Sequence, residues 1–327
     1  MIITKTPFRV SFFGGGTDYP EYFETHGGGA VLATAVSQSA FVAVSRFYSR
    51  LFDYRIRVAY RQVECVNEVD EIQHPAFREC LRRCGISHDV EVSYMAELPS
   101  FSGMGSSSSF IVGLLNGLNA FQGRAVGPLD LAYQAIALER GAMRECVGCQ
   151  DQALAAMGGF NVLEFRATDD IVVHRLPLSR ERIAEFERHL LLLFTGFKRR
   201  ASDVAARQVG KIGQNLQTLK AMRRLVDRAY NSLTAAGGME EFGRLLDESW
   251  RLKQSLDDGV ANPAIQEYYG EACAAGALGG KLLGAGGGGF LLFFVPPEKR
   301  EAVRRRLAQL EEIPLTINAT GSHILHA

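Results

Sequence analysis

The sequence predicts an α+β fold in two halves. Two observations carry this. Alternating strand patterns crowd the first hundred residues and return near the C-terminal end. Between them, from about Ser202 to Leu256, the pattern is helical. That order is neither strict βαβ alternation nor a single element type. A chain of 327 residues, 47% apolar and 22% charged, is long enough for two ordinary domains with real cores and has the composition of a soluble globular protein.

Taken in order, Phe8–Phe13, Ala40–Arg46, Tyr54–Tyr60 and Asp89–Met95 alternate like strands. After a serine run, Phe110, Ile111, Leu114, Leu115, Leu118 and Phe121 recur at helical spacing. A second helix covers about Leu129–Arg144. Phe160–Phe165 and Ile171–His174 read as a hairpin, and Leu190–Phe194 as a buried strand. In the long helical stretch, Leu216, Leu219, Met222, Val226, Tyr230 and Leu233 form one stripe. Another helix, Ala264–Ala277, precedes a glycine loop and the apolar strand Phe290–Val295. Glu298–Leu310 reads as a short charged helix, and a last strand is expected near Leu315–Ala319. A boundary near Pro177–Ile183 gives domains 1–180 and 181–327.

Composition narrows the function. Formal net charge is zero, which gives no footprint for nucleic acid. The longest apolar runs, Leu190–Phe194 and Phe290–Val295, are far too short to span a bilayer. The first residues enter a strand pattern directly, without the apolar region of a signal peptide. The six cysteines are sparse and irregularly spaced, as expected of free thiols in a cytoplasmic protein. Cys146 and Cys149 form C-x-x-C, but no second pair completes a zinc site.

Glycine is the informative anomaly. Many of the 34 glycines fall in three clusters: Gly14–Gly16, Gly103 with Gly105, and Gly284–Gly289. Such clusters let backbone approach a ligand closely. In the second, a Gly-Met-Gly turn (Gly103, Met104, Gly105) leads into Ser106, Ser107, Ser108 and Ser109 at a helix start. Free amides and a partial positive charge there suit phosphate, though Ser106 alone could serve as an ordinary N-cap. No Lys-Ser or Lys-Thr follows a cluster, so this is not a Walker loop. The third cluster satisfies G-x-G-x-x-G formally, but a helix–loop–strand order is the reverse of a dinucleotide site. Packing against another loop or a phosphate is expected for it. In the first, a short strand delivers Thr17 and Asp18 from the glycine turn, where a carboxylate can hold ligand hydroxyls or simply serve the turn. Arg9 sits within an apolar strand, where an arginine is unusual unless paired.

Together these segments resemble the GHMP kinases. Pro7–Tyr19 resembles the family's first motif, Pro99–Ser109 its second and Lys281–Phe290 its third, in the right order and across nearly the whole chain. The string Phe13–Phe23, Gly148-Cys-Gln-Asp-Gln, Thr195-Gly-Phe-Lys-Arg and the long glycine loop are similar to the heptose 7-phosphate kinases of this family. Met104 stands where leucine is usual, a volume-conserving change. Lys198–Arg200 is more basic than the family pattern.

The resemblance implies a two-domain fold, with an N-terminal ribosomal-protein-like α/β domain and a C-terminal ferredoxin-like α+β domain. It implies ATP and Mg²⁺ as cofactors and a sugar phosphate as substrate, in a monomer or homodimer. Gly103, Met104, Gly105, Ser106, Ser107 and Ser108 would cradle the ATP phosphates. Ser107 and Glu139 would hold Mg²⁺, a fitting oxygen set. Asp151 would accept the proton of the attacking hydroxyl, and Arg9 would offset charge on the transferred phosphoryl group. Gly15, Gly16, Thr17, Asp18, Gly286 and Gly287 would contact the sugar, and Arg199 would clamp its distal phosphate. The alternatives are a kinase for an unphosphorylated sugar such as fucose, and a non-catalytic regulator that keeps the fold.

Overall fold

The computed structural model describes residues 1–99, 102–197, 201–235 and 237–327. The chain opens with β1 (Ile2–Phe13), a short helix α1 (Pro20–Phe23) and β2 (Gly29–Arg46). Then come β3 (Ile56–Ala59), β4 (Val63–Val66), α2 (Pro75–Cys84), β5 (Val90–Ala96), α3 (Ser106–Phe121) and α4 (Pro128–Ala137). The first half closes with α5 (Gln150–Met157), β6 (Phe160–Ala167) and β7 (Asp170–Arg175). The second half runs α6 (Arg180–His189), β8 (Leu190–Phe194), α7 (Ala201–Gly210), α8 (Leu216–Thr234), α9 (Glu240–Gln254) and α10 (Pro263–Ala274). It ends with β9 (Gly279–Leu282), β10 (Phe290–Phe294), α11 (Arg300–Arg306), β11 (Glu311–Glu312) and β12 (His323–His326).

The first sheet is organised by β2. Its N-terminal part, Gly29–Thr34, pairs antiparallel with β6, and its C-terminal part, Ala40–Arg46, pairs with β5. β1 runs antiparallel along its other side. The sequence of β2 explains the division: residues 29–36 are continuously buried, whereas from Ala40 burial alternates with exposure. The sheet order is β12-β1-β2-β5-β3-β4, with β6 paired to β2 and β7 to β6. The second sheet, β11-β8-β10-β9, is built on the fully buried Phe-Leu-Leu-Phe-Phe of β10.

Phenylalanines join the halves. Phe12 of β1 meets Phe186 of α6 at 5.5 Å and Phe242 of α9 at 5.4 Å, both edge-to-face, and Phe242 packs on Phe294 of β10 at 5.3 Å. These are favourable ring geometries as well as apolar burial.

Several local expectations change. The long helical stretch is three helices, α7 to α9. The helix expected over Leu129–Arg144 leaves α geometry after Ala137 and becomes a π turn, Leu138–Ala142, while Arg144 is left-handed (φ 55°). The last strand is β12, paired with β1. Near Leu315–Ala319 there is only an isolated bridge, Val36 to Ile317. The third glycine loop joins two antiparallel strands, β9 and β10, so its approach is strand–loop–strand. The helix α6 occupies the expected boundary, capped by Ser179 Oγ accepting from Arg182 N. All six cysteines are free. Among the described residues no helix is long and apolar enough to cross a membrane.

Candidate active site

The site is assembled from the inside out around Arg9. Arg9 lies on β1, and its N–H donates to Met104 O at 3.0 Å, fixing the strand against the second glycine turn. Its guanidinium makes a fork with Asp151 in the first turn of α5: Nε to Oδ1 at 2.6 Å and Nη2 to Oδ2 at 2.7 Å. Nη1 donates to Gly103 O at 2.6 Å. Each Arg9 nitrogen thereby donates once, and Nη1 and Nη2 each keep one further N–H; its side chain is 7% exposed, while that of Asp151 is 22% exposed. Each Asp151 oxygen keeps a further lone pair for an incoming hydroxyl.

Gly103 and Gly284 explain why two glycine clusters are needed. Both have positive φ (79° and 72°). A Cβ on Gly103 would lie 2.6 Å from Leu283 O, and one on Gly284 would lie 2.7 Å from the Gly103 Cα. The second and third clusters therefore pack backbone to backbone, as expected for the third. Lys253 of α9 secures this arrangement, donating to Leu282 O at 2.8 Å and to Gly284 O.

At the start of α3 the N-cap is Gly105 (φ 73°), and no side chain caps the helix. The ordinary capping role open to Ser106 is thus not realised. Ser106 is buried and Ser107 exposed. Ser109 turns its hydroxyl to Pro7 O at 2.8 Å. Met104 offers only backbone to this turn, because its side chain is in the core.

Glu139 sits in the π turn and is completely buried. Ser108 Oγ lies 3.0 Å from both of its carboxylate oxygens, and Gln152 Nε2 donates to Oε2. The serine that meets Glu139 is thus Ser108, one residue beyond the expected Ser107. No cation pairs with Glu139 among the described residues. Burial pushes its carboxyl up to about 8, and the nearby Glu145 and Asp151 charges push the same way. A buried carboxyl with only neutral partners, raised this far, is a group whose ionised form a bound cation would stabilise.

The first glycine turn is only partly as expected. Thr17 is a correction: its hydroxyl faces inward, 2.7 Å from Gly14 O and 3.0 Å from Ala30 O, and it accepts from Ala30 N at 3.2 Å. It holds the turn and has no exposed surface. Asp18 is also buried; Oδ1 accepts from Gly16 N at 3.0 Å and Oδ2 from Gln150 Nε2 at 2.9 Å. Burial raises its pKa, and Asp151 adds to the rise. A Cβ on Gly15 would make only ordinary contact, 3.9 Å from Ser11 Oγ and 4.0 Å from Gln150 Nε2. Gly286 packs on the Val260 backbone, and Gly287 N donates to Val260 O at 3.0 Å. Arg199 lies outside the described residues.

Sequence reasoning misses two cations of the site. Lys281 of β9 is buried and donates to Phe12 O at 2.8 Å. Burial lowers its pKa to about 7, with Arg9 lowering it further and Asp18 opposing. Lys253 is buried beside it and is shifted well down by the same cause. Lys253 falls on the stripe of Leu246, Ser249 and Trp250, so a lysine at a core-facing helical position is the available signal.

Comparison with known proteins agrees with this architecture. Residues 70–159 match the GHMP kinases N terminal domain and residues 222–312 the GHMP kinases C terminal domain. A D-glycero-alpha-D-manno-heptose 7-phosphate kinase of Campylobacter jejuni is 28% identical over 299 residues, covering 87% of this chain and 86% of that one. An L-fucokinase/L-fucose-1-P guanylyltransferase of Bacteroides fragilis is also 28% identical, over 86% of this chain, which spans only 33% of that longer protein. Among solved structures, a D-glycero-D-manno-heptose 1-phosphate kinase from Bacteroides thetaiotaomicron superposes with a TM-score of 0.81. It has 23% identity, with 100% of this chain and 99% of that one covered. The Lactococcus lactis galactokinase complexed with galactose gives a TM-score of 0.75 at 18% identity, over 98% and 94% of the two chains. With both domain matches, the fold and the facing glycine loops in agreement, the chain belongs to the GHMP kinase family.

Proposed function

We propose that this protein is an ATP-dependent sugar kinase that phosphorylates the anomeric hydroxyl of D-glycero-D-manno-heptose 7-phosphate. The observation that carries the reading is the Arg9–Asp151 fork, lying against Gly103 at the uncapped N-terminus of α3. Such a site offers what phosphoryl transfer needs: free amides for phosphate, a fixed cation, and a carboxylate with accessible lone pairs. The amides at Ser106–Ser108 would bind the ATP phosphates. Asp151 would accept a hydrogen bond from the sugar hydroxyl and then its proton. Arg9 would orient Asp151 and stabilise charge on the transferring group. Glu139 and a serine hydroxyl of α3 would hold Mg²⁺, which supplies charge neutralisation at the phosphates. Asp18, held by Gly16 and Gln150, would shape the sugar end of the cleft. The choice of sugar is supported by the similarity to the Campylobacter jejuni heptose 7-phosphate kinase.

A kinase for a free sugar is the second reading, favoured by the equal identity to the Bacteroides fragilis fucokinase. The deciding experiment offers heptose 7-phosphate, mannose, fucose, galactose and sedoheptulose 7-phosphate with ATP and Mg²⁺, and reads product position by phosphorus NMR. Preferential formation of the heptose 1,7-bisphosphate is expected. Preferential turnover of fucose or another free sugar would keep the kinase and discard the heptose.

A further inference from the structure

A second positive cluster lies beside the cleft. Arg207 of α7 and Lys211, just beyond the end of that helix, converge on Asp257. Lys211 Nζ donates to Oδ2 at 2.7 Å, and Arg207 Nε and Nη2 both donate to Oδ1 at 3.3 Å. Gly259 N also donates to Oδ1, at 2.9 Å. The Asp257 side chain is 4% exposed, whereas those of Arg207 and Lys211 are 40% and 42% exposed. The carboxylate is therefore an inner anchor, and the cationic heads face outward. Two cations on one carboxylate leave a surplus positive charge. Asp258, next in the chain and exposed, pairs with neither among the described residues. Both Arg207 bonds to Asp257 are long and fall on one oxygen, so its remaining N–H groups can still fork onto an oxyanion.

The cluster is joined to the site through one side-chain and two backbone hydrogen bonds. Gln208, adjacent to Arg207, donates to Ala285 O in the third glycine loop at 3.2 Å. Gly287 of that loop bonds Val260, and Val260 N donates to Asp257 O at 3.0 Å. A small, mostly apolar pocket lined by Gly16, Tyr19, Gln208, Val209, Ile212 and Leu219 lies between α7 and the first glycine turn. Lys211 and the Gly259 amide hold the Asp257 carboxyl down at about 2, so the anchor keeps its charge at any working pH.

We propose that Arg207 and Lys211, held by Asp257, form the subsite for the distal phosphate of a phosphorylated sugar substrate. The inference rests on the sugar phosphate reading above and supplies it with a phosphate receptor among the described residues.

The test compares heptose 7-phosphate with the same heptose lacking phosphate, for wild type, Arg207→Met, Lys211→Met, the double variant and Arg207→Lys. The expected result is a 10- to 100-fold fall in the kcat/KM ratio of phosphorylated to unphosphorylated sugar in the double variant. That loss should lie in KM, and Arg207→Lys should recover part of it. The subsite is overturned if wild type prefers the phosphate and the variants keep that preference, or if both substrates decline together. If wild type itself shows no preference for the phosphorylated heptose, the substrate reading has failed and the subsite falls with it. Wild type alone decides between these two failures.

Discussion

Arg9 and Asp151, 142 residues apart in the chain, meet through two parallel hydrogen bonds of 2.6 and 2.7 Å, and the remaining Arg9 nitrogen holds Gly103 O. The same guanidinium thus fixes the carboxylate and the second glycine turn. Asp151→Asn is expected to lower kcat by about 10³-fold, within the usual range for general acid–base groups, while ATP still binds. Near-normal turnover in that variant would remove Asp151 from the chemistry.

Glu139→Gln keeps the shape of the buried site and removes the proton that a bound cation would displace to form a carboxylate ligand. The Mg²⁺ concentration for half-maximal activity should rise about tenfold or more, by analogy with lost metal-site contacts. Parallel titrations of Ser107→Ala and Ser108→Ala identify which hydroxyl assists. An unchanged Mg²⁺ dependence in Glu139→Gln would exclude it as a ligand.

Gly284→Ala puts a methyl 2.7 Å from the Gly103 Cα at a positive φ. Backbone must move, so a loss of about 1–3 kcal/mol in denaturant unfolding is expected, together with weaker ATP binding. Unaltered stability would mean that the two loops separate at little cost.

Thr17→Val tests the corrected role of this residue. Losing its hydroxyl contacts to Gly14 and Ala30 should destabilise the fold by about 1–3 kcal/mol, with the sugar KM unchanged. A raised KM at full stability would return Thr17 to the substrate.

Lys281 links stability to pH. Its folded pKa is about 7 against an ordinary value of 10.5. Between these values the unfolded chain binds more protons, so wild type gains stability as pH rises and loses it as pH falls toward 7. Lys281→Met lacks this term. The stability difference between the two should therefore shift toward wild type by at most roughly 1.4 kcal/mol per pH unit in urea unfolding from pH 7.5 to 9.5. A flat difference would mean that Lys281 stays charged when folded.

Long periodic elements and the glycine clusters are legible because each advertises itself locally. β8, β10 and α3 follow from apolar runs and 3–4 spacing, and Arg9 is conspicuous as a charge in an apolar strand. What stays hidden depends on distant partners. The inward turn of Thr17 is set by Ala30, the use of Ser108 over Ser107 by the π turn at Glu139, and the burial of Lys253 by the carbonyls of Leu282 and Gly284. β12 is illegible because a four-residue edge strand ending in His-Ile-Leu-His has little pattern of its own, and its pairing with β1 supplies the order.

That pairing has a consequence for how the protein comes into being on the ribosome. β1 carries Arg9 and is synthesised long before β12, one of its two neighbours. Phe12 likewise waits for Phe186 and Phe242. The nascent first half therefore holds an unpaired strand edge until β12 has emerged, and an uncovered aromatic face until α6 and α9 have. Unpaired edges of this kind invite association with other chains, so the emerging half is the stage at which chaperone dependence is greatest.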